Sequence, residues 1–87
     1  MNRQKWILLK LLRGKSTTNV RFTDLRTSLK HLGFEEHIRG SHHLYRRPDL
    51  NLHINLQKDG GKAKPYQVRQ VRNLISRLNP GTGKDDA

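Results

Sequence analysis

The spacing of the apolar residues changes at Gly33, and this change constrains the fold more than any other feature of the sequence. Before Gly33, leucines recur at helical spacing at positions 25, 29 and 32. After it, apolar and polar residues alternate, most strictly where Leu52, Ile54 and Leu56 share one face of a strand. A helical spacing followed by a period of two predicts helices packed on a sheet within one chain.

The helices are delimited by the residues at their ends. We predict a first helix over residues 3–13 and a second over residues 24–32, with Thr23 as the N-cap of the second. Gly33 is expected to be its left-handed C-terminal residue. A last helix begins at Pro65, a favoured first-turn position, and ends before residue 79.

Three strands are predicted between the second and the last helix. They cover residues 34–39, 42–47 and 52–57, and Gly40-Ser41 is a Gly-X pair suited to a two-residue hairpin turn. The predicted fold is therefore α+β, in the order α-α-β-β-β-α. It has a three-stranded antiparallel sheet with the helices on one of its faces.

Length and charge narrow the class of protein. The 87 residues suffice for one domain, which we place at residues 1–79, with 80–87 as a disordered tail. Lys and Arg number 18 against 7 Asp and Glu, a net charge of +11, which indicates a polyanionic partner such as nucleic acid, an acidic protein or an anionic membrane. Membrane-surface binding is the weakest of these, because the basic residues of the first helix form no separate polar face. The most apolar stretch, residues 6–12, contains Lys10 and is far shorter than the ~20 residues needed to cross a bilayer, and we expect a cytoplasmic protein.

Several kinds of chemistry are disfavoured. The chain has no cysteine, which excludes a disulfide scaffold, a zinc-thiolate finger and a thiol nucleophile. His42 and His43 are adjacent on a predicted strand and point to opposite faces, so they do not readily share an ion, and we expect neither a metal nor a cofactor. Ser41 lacks a nucleophile-elbow sequence, which argues against a serine hydrolase.

RNA cleavage needs fewer groups than these reactions, because RNA carries its own nucleophile, the 2′-hydroxyl. One imidazole can transfer protons near neutral pH, and nearby cations can stabilise charge on the phosphate. His42 follows the predicted hairpin turn, at the end of the sheet, where a polymer can reach it. The candidate phosphate-binding residues are basic side chains near the last helix and on the second strand: Lys62, Lys64, Arg69, Arg72 and Arg46. Taken singly, each of these residues is equally compatible with a solvated surface position.

Three stretches carry a resemblance to a known family. They are residues 32–36, LGFEE, residues 39–46, RGSHHLYR, and residues 60–72, GGKAKPYQVRQVR. A helix ending in Gly-Phe, a strand, a Gly-Ser-His motif followed by an aromatic residue, and a terminal helix resemble the HicA toxin family. Its members are small mRNA interferases of toxin–antitoxin systems. The resemblance covers roughly residues 22–78.

The resemblance implies a double-stranded-RNA-binding-like fold, ribosome-independent cleavage of mRNA, and neutralisation by a HicB-type antitoxin. The family's catalytic histidine falls on His42. The helix at residues 3–13 is additional to the shortest members, and we expect it to pack on the core and to extend the surface for the antitoxin or for self-association. From another class of function, a non-catalytic RNA-binding module explains the charge and the predicted fold equally well, although it gives no reason for a histidine just after the hairpin turn.

Overall fold

Three helices and one sheet make up the part of the chain that the computed structural model describes, residues 2–14 and 16–78. The α+β class and the order α-α-β-β-β-α are confirmed. The predicted tail at residues 80–87 lies outside the described residues. The elements, in chain order, are α1 (Arg3–Arg13), α2 (Phe22–His31), β1 (Glu35–Arg39), β2 (His42–Arg47), a short 3-10 helix (Pro48–Leu50), β3 (Leu52–Gln57) and α3 (Pro65–Leu78).

The strands form an antiparallel sheet in the order β1-β2-β3, as predicted. The turn between β1 and β2 contains two residues, and Gly40 adopts a left-handed conformation there, with φ of 58°. Because a two-residue turn fixes the pairing of the strands it joins, Arg39 lies directly opposite His42. On its other side, His42 lies opposite Gln57.

The two faces of the sheet differ in burial. His43, Tyr45, Ile54 and Leu56 are buried on the core face, where the helices pack. The alternate positions form the open face and are mostly exposed: Glu35, His37, Arg39, His42, Leu44, Arg46, His53, Asn55 and Gln57. Leu44, half-buried, is the exception among them. The helices therefore cover one face, and the open face is available to a large ligand.

The start of α2 differs from the sequence-based prediction. Thr23 is not the N-cap, because the helix begins at Phe22 and Arg21 precedes it without a side-chain capping bond. The N–H of Phe22 donates instead to the carbonyl of Gly61, at 3.0 Å, and the N–H of Ala63 donates to the carbonyl of Val20, at 2.7 Å. Phe22 is 1% exposed, so its burial and these loop contacts start the helix earlier than capping preferences indicate.

The end of α2 is as predicted. Gly33 has a φ of 91°, a conformation that L side chains rarely adopt. The N–H groups of Gly33 and Phe34 donate to the carbonyls of Lys30 and Leu29, at 3.0 and 3.1 Å, which satisfies groups left over at the helix end. Phe34 is buried beneath the turn, and the chain enters β1 directly.

The first helix packs on the core, as we expected. Leu8 and Leu11 are buried, and α1 contacts both α2 and α3. Trp6 remains 55% exposed, with the ammonium group of Lys10 at 5.3 Å from its ring centroid. Within the described residues, no helix has the length and apolar character needed to cross a membrane.

Candidate active site

His42 occupies the first position of the central strand, on the open face of the sheet. Its side chain is exposed. Arg39 of β1 lies directly opposite it, and the Cβ atoms of opposite residues in an antiparallel pair are about 4.5–5.5 Å apart. The imidazole is thus accessible to a polymer, and Arg39 is close enough for its guanidinium group to reach a phosphate bound at His42.

The neighbouring histidine fixes the orientation of this strand end. His43 is 4% exposed on the core face, where its ring meets the edge of Phe22 at a centroid distance of 5.0 Å and stacks with Tyr45 at 6.5 Å. Burial, together with the positive charge of Arg26, lowers the pKa of His43 and keeps its ring neutral. Since successive side chains point to opposite faces, a buried His43 holds His42 on the open face.

Below the sheet, a buried carboxylate joins α2 to the first two strands. Glu36 accepts hydrogen bonds from Arg26 Nε at 2.8 Å, from Arg26 Nη2 at 3.1 Å and from the hydroxyl of Tyr45 at 2.6 Å. Burial alone raises the pKa of Glu36, but these hydrogen bonds and the positive charges of Arg26 and Lys30 outweigh it, so the pKa falls to about 2. Burial and the same carboxylate raise the pKa of Tyr45. The cluster fixes the hairpin that carries His42.

The start of α3 lies at the same end of the sheet as His42. The side-chain amide of Gln67 donates to the backbone carbonyl of Gln57, the residue opposite His42, at 3.1 Å. The N–H of Lys58 donates to the carbonyl of Ser41 at 2.8 Å. These two contacts place the lysine-containing loop before α3 close to the hairpin turn.

Three of the predicted phosphate-binding residues are exposed, two in the loop before α3 and one on α3 itself. Lys62 Nζ donates to Asn19 Oδ1 at 2.7 Å, and Lys64 Nζ lies 3.3 Å from Asp59 Oδ2. Because such exposed contacts are weak, a phosphate can replace them. Arg69 is exposed on the second turn of α3.

The other two predicted residues have different surroundings. Arg72 is half-buried, and its Nε donates to the carbonyl of Leu11 at the end of α1, at 2.9 Å. This contact links α1 to α3, so part of its guanidinium is engaged within the protein. Arg46 is exposed on the open face, four residues along β2 from His42, which corresponds to about 13 Å. A phosphate at Arg46 would therefore be a different one from the phosphate at His42.

Sequence reasoning missed Arg39 and Lys58. Arg39 is the cation that lies closest to His42 in the register of the sheet, and Lys58 contacts the hairpin turn through its backbone. The signal for Arg39 was present in the sequence, because a two-residue turn at Gly40-Ser41 pairs the residues on either side of it.

The site offers imidazole and cationic groups, and in the described ranges no three His, Asp or Glu side chains are grouped so that they could hold a metal ion. No protein-family model, curated protein or solved structure matches this chain.

Proposed function

We propose that this protein is a metal-independent endoribonuclease that cleaves mRNA, the toxin of a type II toxin–antitoxin system. The observation that supports the proposal is the exposed His42 at the end of the sheet, directly opposite Arg39 in the pairing of β1 with β2. One group can transfer a proton and the other can stabilise negative charge, which are the two requirements for cleavage by the 2′-hydroxyl.

In the proposed reaction, His42 acts as general acid/base. Attack of the 2′-oxygen on phosphorus forms one P–O bond while the bond to the 5′-oxygen breaks. The 2′-hydroxyl loses its proton to the His42 imidazole, and the 5′-oxygen leaves as a hydroxyl after it takes up a proton from the protonated imidazole. Arg39 compensates the charge that develops on the non-bridging oxygens. Lys62, Lys64 and Arg69 hold flanking phosphates, with Arg46 and the outer part of Arg72 as further contacts.

The resemblance of the Gly-Ser-His motif and of the last helix to the HicA family supports the toxin assignment. It also supports a double-stranded-RNA-binding-like fold, with which the three antiparallel strands followed by a helix agree. A HicB-type antitoxin is the proposed protein partner. The charge of +11 suits an acidic antitoxin, and the exposed ring of Trp6 beside Lys10 offers it an apolar contact within a basic surface.

The test compares His42→Ala with His53→Ala, since both residues are exposed on the open face. Purified proteins are incubated with an mRNA in the presence of EDTA, and RNA binding is measured separately. We expect the His42→Ala protein to bind RNA without cleaving it, and its expression in cells to cause no growth arrest. The His53→Ala protein should bind and cleave RNA, and its expression should arrest growth. Cleavage by His42→Ala at the wild-type rate would contradict the proposal.

The competing function is a non-catalytic RNA-binding module, which the lysines before α3 would also serve. The same incubation separates the two functions. RNA that binds to the wild-type protein and remains intact would identify the binding module.

A further inference from the structure

We propose that His37 is a second proton-transfer residue, which acts with His42 on the same phosphodiester bond. The inference rests on the proposed function and assigns a role to a residue that the sequence motifs do not include. It follows from the pairing of β1 with β2 and from the side chains that this pairing places on the open face.

The register places three side chains around one point of the open face. Arg39 lies opposite His42, and His37 precedes Arg39 by two residues on β1, on the same face. His37 is therefore a diagonal neighbour of His42, and the Cα atoms of such residues are typically about 7–8 Å apart. Arg39 is adjacent to both, since it lies opposite His42 and two residues after His37 on the same face. Two imidazoles at this spacing can approach opposite sides of one phosphate group, while the guanidinium contacts its non-bridging oxygens.

The other histidines are placed differently. The chain has five. His31 is the last residue of α2, and His43 is buried on the core face. His53 is exposed on the open face but lies opposite Arg46, about 13 Å along the sheet from His42. Among the histidines, His37 is thus the one that can share a phosphodiester with His42.

Two imidazoles match the proton balance of the reaction. The first accepts the proton of the 2′-hydroxyl as the 2′-oxygen bonds to phosphorus. The second donates a proton to the 5′-oxygen as its bond to phosphorus breaks. The products are a 2′,3′-cyclic phosphate and a 5′-hydroxyl, so no metal, water or redox partner is consumed in this step. A single imidazole would have to perform both transfers in one passage through the transition state.

The surrounding charges assign the two roles. Glu35 Oε1 lies 4.0 Å from His37 Nε2, so a carboxylate is available to compensate a positive charge on the His37 ring. The charged residue directly opposite His42 in the strand register is Arg39, a cation. The charged and titratable groups that share the open face with His37 are Glu35 and Arg39 on its own strand, His42 and Arg46 on β2, and His53 on β3. We therefore assign His37 as the acid and His42 as the base.

The test uses an RNA in which sulfur replaces the 5′-oxygen of the cleaved bond. A thiolate leaves without being protonated, so this substrate requires the base and does not require the acid. We expect His37→Gln to cleave ordinary RNA about 10²–10⁴-fold more slowly than the wild type, and to regain most of this loss on the sulfur-containing RNA. His42→Gln should remain slow on both substrates, and His53→Gln should match the wild type on both.

The outcomes separate this inference from the proposed function. If the wild type cleaves and His42→Gln does not, but His37→Gln matches the wild type, His37 is not the acid and the nuclease assignment stands. A His37→Gln defect that the sulfur-containing RNA does not relieve would also overturn the inference, because it indicates a role in binding. If the wild type leaves both RNAs intact, the proposed function itself fails. Because the side chain of His37 is 61% exposed, His37→Gln should fold as stably as the wild type. A thermal unfolding curve of the variant checks this.

Discussion

Replacing Glu36 by Gln tests the buried cluster that holds the hairpin on α2. The side chain of Glu36 is 10% exposed and bound by Arg26 and Tyr45, and its pKa falls from 4.5 to about 2. Each pKa unit corresponds to about 1.4 kcal/mol, so the folded state gains about 3 kcal/mol from the ionised carboxylate. Because the side chain of Arg26 is 29% exposed, removing the charge of Glu36 should cost less unfolding free energy than breaking a fully buried ion pair. We expect Glu36→Gln to lose about 2–3 kcal/mol of unfolding free energy at pH 7.

The pH dependence follows from the direction of the shift. Because the folded-state pKa is lowered, the stabilisation is complete above pH 4.5 and is lost as the pH falls towards about 2. Urea unfolding, monitored by circular dichroism, gives the free energy of unfolding of the wild type and of Glu36→Gln. The difference between the two should be constant from pH 7 to 5 and should decrease below pH 4.5. Glu35→Gln, at a 65% exposed side chain on the open face, is the matched control and should change stability by less than about 0.5 kcal/mol. If Glu36→Gln is as stable as the control at pH 7, the ionised carboxylate of Glu36 does not stabilise the folded protein.

Four further substitutions test the turn after α2, the cations on the open face and the exposed Trp6. Gly33→Ala should destabilise the protein by about 1–2 kcal/mol in urea unfolding, because alanine is strained at a φ of 91°; equal stability would show that the turn relaxes. Arg39→Gln should slow RNA cleavage at saturating substrate by about 10²-fold with little change in RNA binding. Arg46→Gln should mainly reduce the salt dependence of RNA binding. The reverse pattern would place the reacting phosphate at Arg46. Trp6→Gln should leave stability within about 0.5 kcal/mol of the wild type and weaken antitoxin binding at least tenfold by calorimetry; unchanged affinity together with a smaller oligomer would assign the surface to self-association.

Local signals predicted the elements whose ends depend on nearby residues. Gly33 ends α2 and Gly40 lies in the hairpin turn because both positions have a positive φ, which favours glycine. Pro65 begins α3 because its φ is fixed near the helical value and a helix does not need an N–H there. The alternation over residues 52–57 likewise predicted the buried face of β3. The separation of His42 from His43 onto opposite faces followed from the same alternation.

Contacts between distant segments were not predictable in this way. The early start of α2 depends on two hydrogen bonds with a loop some 40 residues later in the chain: the N–H of Phe22 donates to the carbonyl of Gly61, and the carbonyl of Val20 accepts from the N–H of Ala63. Arg72 looked like an exposed residue of α3, but its partner is the carbonyl of Leu11, 61 residues away. Nothing in the local sequence around Glu36 indicates that Arg26 binds it. The grouping of His37, Arg39 and His42 is an intermediate case, since it required the register of the hairpin as well as the alternation.

The central claim is that the substrate's own 2′-hydroxyl, activated by His42, cleaves the RNA. The most direct measurement follows one RNA oligonucleotide with EDTA present, beside a copy that has a single 2′-deoxy sugar at the cleaved position. We expect the wild-type protein to cut the all-RNA oligonucleotide into one product that ends in a 2′,3′-cyclic phosphate and one that begins with a 5′-hydroxyl. In the oligonucleotide with the 2′-deoxy sugar, the same phosphodiester bond should stay intact. Cleavage of the deoxy linkage, or products with a 5′-phosphate, would contradict the account.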